Sequence, residues 1–376
     1  MKKALLISCF DWYKARLEPI RAFLIMQGYD VSVLLSDYDH IHKASIPQKY
    51  EECTYIHVPA YQSNLSFKRI RSHLSFGKQA RQYISETKPD LLWMQLPPNN
   101  TAKYCTEYKK VHPDIKYFVD IVDLWPESMP LGKVNETPLV GIWKKWRNDS
   151  FHFADHVFTE CDLYQEKLQG VLPQNKTSTL HLFKEQTDEE RELVEKIISE
   201  KKELNSQVKL AYLGSMNSIL DIDGICNVIK SFMEQGYSTE LHAIGDGENR
   251  ERFQGAVKET GCNAKFYGSI FDEKEKIKLL APCDYALNMM VGNISVGLTI
   301  KSIDYFSYGL PLINNIKGDT WNIVNLEHLG INTKDGVLKA EDISTESDRD
   351  FVLRAFDTYF SRAVFLSSVK KAIFED

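Results

Sequence analysis

Short apolar runs rich in β-branched and aromatic residues alternate with amphipathic stretches along most of the chain. In the first half, residues 4–8, 31–35, 55–58, 91–94, 117–122 and 156–159 have the strand pattern, and 16–27, 67–86 and 101–111 have the helical one. Gly28, directly after Gln27, is a helix stop. Strands alternating with helices build βαβ units and a mostly parallel sheet. The rhythm breaks over 184–207, where 13 of 24 residues are charged. Leu193, Val194, Ile197 and Ile198 keep one apolar stripe there, as in a surface helix bridging two domains. It then restarts with strands at 209–213, 240–244, 265–267, 285–288 and 312–314, and helices near 222–234 and from 249. The tail 348–374 is helical in pattern. The chain therefore divides into an N-terminal α/β domain over 1–183, a charged linker helix over 184–207, a C-terminal α/β domain over 208–347, and helices over 348–376 expected to pack back across the N-terminal domain. Open parallel sheets bind ligands at the carboxyl ends of their strands, so the cleft between the domains is the expected site.

Hydrophobic residues at 43% and charged residues at 26% are ordinary globular composition, which excludes pervasive disorder and collagen-like architecture. The net charge of −6 argues against a surface built to hold nucleic acid. Its distribution is uneven. Residues 1–180 hold 23 basic and 20 acidic residues, and the remainder holds 23 and 32. Seven cysteines stand singly, with no Cys-x-x-Cys and no histidine cluster, so neither a disulfide framework nor a zinc site is expected. They read as buried thiols of a reducing cytoplasm. No apolar run approaches the ~18–20 residues that cross a bilayer. The N-terminal MKKALLISCF imitates a signal peptide, but its apolar stretch stops at Asp11 without a small-residue cleavage site, so it reads as a buried first strand.

The most informative stretch is VGLTIKSIDYFSYGLPLIN, residues 296–314. Gly297 precedes a helix beginning near Thr299, Gly309 ends it, and Pro311 opens the next strand. The first-turn amides of such a helix lack intrahelical partners and carry the positive end of its dipole, which makes a seat for phosphate. Lys301 adds a full charge. Asp304, three residues on, shares its face and can accept hydrogen bonds from both hydroxyls of a ribose. The plainer alternative is a surface Lys–Asp pair on a packing helix.

This segment resembles the nucleotide-sugar site of glycosyltransferase family 4, of the kind that builds bacterial capsular and extracellular polysaccharides. Asp304 falls at the second, ribose-binding Glu of that family's Glu-x7-Glu element. Val296 stands where the first Glu would be, a departure for which Asn293 or Ser295 is expected to compensate. LAYLGSM (210–216) is similar to the strand and glycine loop that open the family's donor domain, placing Gly214 and Ser215 at the diphosphate. The family's basic residue after that loop is replaced by Asp221 and Asp223, which leaves Lys301 as the expected lone cation there. LHAIGDGENRERF (241–253) resembles the strand ending in Gly-Asp-Gly, with Gly245 at its turn. FYGSIFDEKEKIKLLAPCDYALN (266–288) resembles the base-binding strand end, with Gly268, Ser269 and Ile270 facing the nucleobase. Gly297, Leu298 and Thr299 complete the implied donor set with Lys301 and Asp304.

In the N-terminal half, VDIVDLWPES (119–128) resembles an Asp-Leu-Trp-Pro-Glu-Ser element of several family members. It places Asp123 at the cleft edge, beside the alternative that Asp123 caps the turn enforced by Pro126. Phe10 and Asp11 end the first strand and are the candidate acceptor contacts, or a plain βα turn. Lys68, Arg69 and Arg71 lie among Phe67, Ile70 and Leu74, and Trp143, Lys144, Lys145, Trp146 and Arg147 cluster in the segment 139–149. Both segments are candidate faces for an anionic bilayer, against the alternative of solvated charge over core aromatics.

The resemblance implies a GT-B architecture: two Rossmann-like parallel-sheet domains facing a central cleft. It implies a retaining glycosyltransferase that needs no metal and moves a sugar from a nucleotide sugar, UDP-linked, to a saccharide or lipid-linked oligosaccharide in surface polysaccharide synthesis. Lys301, Asp123 and Asn293 are its candidate catalytic residues. A cytoplasmic protein peripheral on the inner face of the plasma membrane is expected, with no nucleic-acid partner. Two alternatives remain open at this point: a nucleotide-sugar epimerase on the same fold, and a degenerate partner that stabilises an active transferase.

Overall fold

The structure is a computed structural model that describes residues 1–47, 49–64, 66–129, 137–200, 206–292, 296–343 and 349–375. It divides into two compact units, Met1–Leu182 with Phe365–Asp376, and Phe183–Val364. In the first unit the order is β1 (Lys2–Ile7), α1 (Lys14–Met26), β2 (Tyr29–Ser36), β3 (Tyr38–Asp39), β4 (Ala44–Ser45), β5 (Cys53–Ile56), α2 (Phe67–Thr87) and β6 (Leu91–Leu96). There follow α3 (Asn99–Val111), β7 (Lys116–Ile121), α4 (Pro138–Phe153), β8 (His156–Thr159), α5 (Asp162–Lys167) and β9 (Thr177–Thr179). The seven-stranded sheet has the order β5-β2-β1-β6-β7-β8-β9 and is parallel throughout. Its strand order reverses between β1 and β6. All six residues of β6 are buried, as in a sheet covered on both faces.

The second unit contains α6 (Asp188–Glu200), β10 (Gln207–Leu213), α7 (Ile222–Glu234), β11 (Ser238–Ile244), α8 (Arg250–Glu259), β12 (Asn263–Gly268) and α9 (Glu273–Leu280). It continues through β13 (Tyr285–Asn288), α10 (Ile300–Ser307), β14 (Leu312–Asn314), α11 (Asp319–Leu326), β15 (Gly330–Asn332) and α12 (Arg349–Tyr359). Its parallel sheet runs β12-β11-β10-β13-β14-β15. The last helix, α13 (Arg362–Phe374), returns to the first unit, where Lys116 Nζ donates to the Ile373 carbonyl at 2.7 Å. Two strands of the parallel sheets carry no sequence signal, and neither does the short β3–β4 pair. Thr177–Thr179 and Gly330–Asn332 are three-residue edge strands without hydrophobic alternation. The charged stretch does form a helix, α6, which buries Val194 and packs Ile198 against Gly309 within the second unit. All seven cysteines are buried, and none is in a disulfide. Among the described residues, no helix is long and apolar enough to cross a membrane.

Helix starts follow local chemistry. Ser66 caps α2 by accepting the Arg69 amide at 3.2 Å, and Asp221 and Asp272 cap α7 and α9 in the same way. A fully buried charge pair ties elements of the first unit together. The Arg16 guanidinium binds Asp120 through Nε (2.9 Å) and Nη2 (2.9 Å), and Nη2 also donates to the Leu180 carbonyl at 2.7 Å. Trp93 and Gln95 add longer donors to Asp120. Replacing Arg16 with Met leaves a carboxylate buried and unpaired, so equilibrium urea unfolding is expected to show a loss of roughly 3–5 kcal/mol. The double replacement with Asp120→Leu is expected to recover a large part of it.

Candidate functional site

At the carboxyl end of the second sheet, the loops after β10, β11 and β12 lie backbone against backbone. Gly214 (φ 136°) donates its amide to the Ile244 carbonyl at 3.0 Å, and the Gly245 amide donates to Gly268 O at 2.8 Å. A Cβ on Gly245 would sit 1.9 Å from Gly214 O, and one on Gly247 would sit 2.4 Å from Met216 O, so neither position admits a side chain. Ser215 is exposed at the rim. Asp221, expected near this loop, is engaged structurally as the α7 cap and as acceptor for Asn315 Nδ2 at 2.9 Å.

Helix α10 starts as expected at Thr299 and is braced at both ends. Thr299 Oγ1 accepts the Ser302 amide at 3.2 Å, and the Thr299 amide donates to Ser302 Oγ at 3.3 Å, a reciprocal capping box. The Thr299 hydroxyl also donates to Asn288 Oδ1 at 3.3 Å. Asn288 donates to Asn314 at 2.8 Å and Asn314 to Asn332 at 2.7 Å, a side-chain ladder across the ends of β13, β14 and β15. Gly297 and Leu298 are buried, and the Gly297 carbonyl accepts both the amide (2.8 Å) and the hydroxyl (2.9 Å) of Thr320. At the other end, Arg349 Nε donates to Gly309 O at 2.8 Å, a cation on the helix carboxyl terminus.

Lys301, in the first turn of α10, lays its stem along Gly214: its Cδ is 3.7 Å from where a Gly214 Cβ would stand. Its ammonium lies 5.6 Å from the Tyr212 ring centroid. Among the described residues it has neither an ion pair nor a hydrogen bond, and burial lowers its pKa to about 8. The alternative, a Lys301–Asp304 surface pair, does not form among the described residues. Asp304 instead accepts Lys184 Nζ at 2.6 Å, and the same ammonium binds Glu273, which also accepts the Tyr308 hydroxyl. Burial raises the Asp304 carboxyl above its ordinary range despite Lys184. Burial also acts upward on Glu273, but Lys184, Lys276 and Tyr308 hold it down to about 2.

Lys184, Glu273 and Tyr308 escape sequence reasoning because their partnership is tertiary. Two further residues belong to the same loops. Arg250 is a second cation, 3.9 Å from the position of a Gly268 Cβ and paired with Asp246 at 3.2 Å, so Lys301 does not stand alone. Phe271 is 91% exposed directly after Ser269 and Ile270. Asn293 and Ser295 lie outside the described residues.

In the first unit, Asp123 follows β7 and accepts Trp125 Nε1 and Ser128 Oγ, both at 2.6 Å. It thus organises its own turn, as the capping alternative expects, and burial raises its pKa. Asp11 accepts the Tyr55 hydroxyl at 3.1 Å. Phe10 is buried, packed by Tyr13, His40, His73 and Trp125, so it is a core residue and not an open contact. Trp12, two residues on, is exposed and stacks on Tyr13 at 4.3 Å.

The membrane-facing set needs correction. Arg69 and Arg147 are 5% and 1% exposed. Arg147 makes a two-pronged pair with Glu127 at 2.6 and 3.0 Å, and Arg69 is held among aromatic rings. Trp143 lies 6.5 Å from Trp125, Trp146 receives Lys103 over its ring, and Lys144 reaches Glu127. Lys68, Arg71 and Lys145 do face solvent, and Phe67, Ile70 and Leu74 are exposed on α2 beside the first two.

No protein-family model matches the chain, and no curated protein sequence does. Solved structures do. The apo form of the lipopolysaccharide outer core galactosyltransferase WaaB superposes with a TM-score of 0.66 at 15% identity, covering 100% of this chain and 99% of that one. Sucrose-phosphate synthase from Thermosynechococcus elongatus gives 0.61 at 12%, covering 100% of both chains. UGT2 from Phytolacca americana, complexed with UDP-2-fluoro-glucose and pterostilbene, gives 0.53 at 11%, again covering 100% of both. At these identities the likeness shows the fold: two Rossmann-like parallel-sheet domains of the GT-B class.

Proposed function

We propose that the chain is a glycosyltransferase that binds a UDP-sugar in its second unit and passes the sugar, with retention at the anomeric carbon, to a saccharide or lipid-linked saccharide acceptor in surface polysaccharide synthesis. The observation that carries this reading is Lys301. An ammonium unpaired among the described residues, packed on a side-chain-free glycine loop beside a rigidly capped helix N-terminus, is a seat for a diphosphate. The ribose falls one turn on, where Lys184 holds one oxygen of Asp304 and leaves Oδ2 for a hydroxyl. The base falls at Gly268, Ser269 and Ile270, with the exposed Phe271 ring beside it.

Bond cleavage at the anomeric carbon builds charge on the leaving diphosphate. Lys301 and the first-turn amides of α10 are fixed where that charge appears, so they stabilise the transition state more than the ground state. These groups do the work of a metal ion, and the reading requires none. The leaving phosphate itself accepts the acceptor's proton, so Asp123 acts by shaping the turn. Relatives named for galactosyl transfer and for a UDP-sugar complex support the donor class. The exposed strip of α2, with Lys68 and Arg71 beside Phe67, Ile70 and Leu74, suits an anionic lipid surface.

UDP and its sugar conjugates are expected to raise the melting temperature, with no comparable shift from GDP or ADP. Silence from every nucleotide would favour a degenerate partner and sink the reading. Asp304→Ala is expected to weaken donor binding, and Lys301→Ala to depress turnover; if both transfer sugar like wild type, the site is misplaced.

Lys301 also sets a pH signature. Its ammonium is present below about 8, so UDP affinity is expected to fall as pH rises through that value, and Lys301→Arg to flatten the profile. Because the folded pKa lies below the unfolded 10.5, the charged lysine costs stability at neutral pH. Lys301→Met is therefore expected to gain on the order of 2 kcal/mol at pH 7 while losing the UDP response. That gain should shrink as pH climbs from about 8 toward 10.5.

Sedimentation with phosphatidylglycerol vesicles tests the α2 strip. Binding is expected to fall with salt and to drop at least several-fold in Phe67→Ser combined with Arg71→Glu. Equal sedimentation of the variant removes α2 as the lipid-binding face.

A further inference from the structure

Among the described residues, the first unit buries a cation without a matching anion. Arg69, in the first turn of α2, donates through Nη1 to the Asn64 carbonyl at 2.9 Å and through Nη2 to His40 Nε2 at 3.3 Å, while Nε has no partner. Its guanidinium lies 4.2 Å from the Trp125 ring centroid and 5.7 Å from that of Tyr61. Among the described residues no carboxylate forms an ion pair with it, and Asp123 acts on it only through space. Lys43 is a second cation of the same cluster. Its ammonium is 5.2 Å from the Tyr61 ring and donates to the His40 carbonyl at 2.5 Å and to Asn64 Oδ1, all neutral groups. Elsewhere in this unit the buried arginines meet carboxylates, Arg16 at Asp120 and Arg147 at Glu127. A charge taken out of water against neutral acceptors alone is costly, and such groups concentrate at binding sites.

His73, one turn on, is 2% exposed, and among the described residues neither ring nitrogen has a hydrogen-bond partner. Burial, with Arg69 and His40 nearby, favours its neutral form. The ring stacks on Trp125 at 5.6 Å and is held from behind: Asn100 Nδ2 donates to the His73 carbonyl at 2.9 Å, and Asn99 Nδ2 donates to the Trp125 carbonyl at 3.0 Å. These asparagines open α3 directly after β6, and Phe10, which packs on His73, follows β1. β1 and β6 are the neighbours at which strand order reverses, the place where open parallel sheets take ligands. His40, Lys43, Tyr13 and Asp123 keep part of their surface in solvent and give the cluster an open side.

We infer that the first unit holds an oxyanion subsite, formed by Arg69, Lys43 and His73, that receives a phosphate or carboxylate group carried by the acceptor saccharide. The identity of the carrier rests on the transferase reading; the anion site does not. Arg69 offers its free Nε–H, His73 adds a neutral imidazole N–H, and Lys43 supplies the second charge from the more exposed side.

The full chain is titrated calorimetrically with glucose 1-phosphate, glucuronate and glucose, with and without UDP. At least one charged sugar is expected to bind saturably and ten-fold or more tighter than glucose, and the tighter of the two identifies the anion. Arg69→Gln is expected to weaken that binding ten-fold or more and Lys43→Ala several-fold, while both keep the UDP-induced rise in melting temperature. If Arg69→Gln fails to melt cooperatively, Lys43→Ala, at a part-exposed position, decides. Glucose binding as tightly as both charged sugars would overturn the subsite. Charged-sugar binding unchanged in Arg69→Gln and Lys43→Ala, or in a folded Lys43→Ala alone, would do the same. Charged-sugar binding that depends on Arg69 in a wild type indifferent to UDP would keep the subsite and overturn the transferase reading.

Discussion

The second unit is organised by a contact in which side chains are not allowed. Gly214 and Gly245 meet main chain to main chain, with the space for a Cβ on Gly245 filled by a carbonyl oxygen 1.9 Å away. Everything at the candidate donor site follows from that approach. The floor is made of peptide groups, the Lys301 stem can lie along Gly214 because nothing projects there, and the loop after β12 is drawn in by the Gly245–Gly268 bond. The helix that carries Lys301 is then held by neutral hydrogen bonds from the asparagine ladder at its start and by the charged Arg349 clasp at its end. Rigidity here comes from satisfied polar groups, which is what a site needs if its charge is to be in place before the substrate arrives.

Against that background buried charge is held in three ways, one of them Arg349 on the carbonyls that end α10. Arg16 with Asp120, Arg147 with Glu127, and Lys184 between Asp304 and Glu273 are closed pairs that hold elements together. Lys301 in one unit, and Arg69 with Lys43 in the other, lack carboxylate partners among the described residues. Buried cations with neither a carboxylate nor a helix carboxyl terminus beside them cost desolvation without Coulombic return. Their positions coincide with the carboxyl ends of the two parallel sheets, where topology alone places ligands.

Much of the fold was legible because apolar runs and glycine or proline punctuation coincide with element ends. His156–Thr159, Tyr285–Asn288 and Leu312–Asn314 stand where the pattern puts them, and Gly309 ends the helix that Thr299 begins. Thr177–Thr179 and Gly330–Asn332 were not legible, since three-residue edge strands with at most one apolar position, Ile331, have no alternation to read. At the candidate site, Gly214, Lys301 and Asp304 could be picked out because each needs a residue type at a local position. Lys184 and Glu273 could not: the groups that share the Lys184 ammonium lie 89 and 120 residues from it, and no local pattern encodes that meeting.

The misplacement of Arg69 is a different kind of error, because the period was there to be counted. Arg69, His73, Phe76, Ala80 and Ile84 recur at intervals of three and four and form the buried stripe of α2, while Lys68 and Arg71 fall off it. The basic residues of the segment are two populations: cations that cover the outside of a helix and one that lies on its inside. The same holds in α4, where Arg147 shares a face with Val140 and Phe151 while Lys145 points outward. The modest basic excess of the first 180 residues is therefore not a single electrostatic feature. One part is screened by solvent and suits diffuse attraction to a surface. The other is enclosed by aromatic rings, is little screened, and discriminates strongly between a charged and a neutral ligand. A change that removes Arg69 acts on recognition, whereas one that removes Lys68 acts on the outer face, although the two residues are adjacent in the chain.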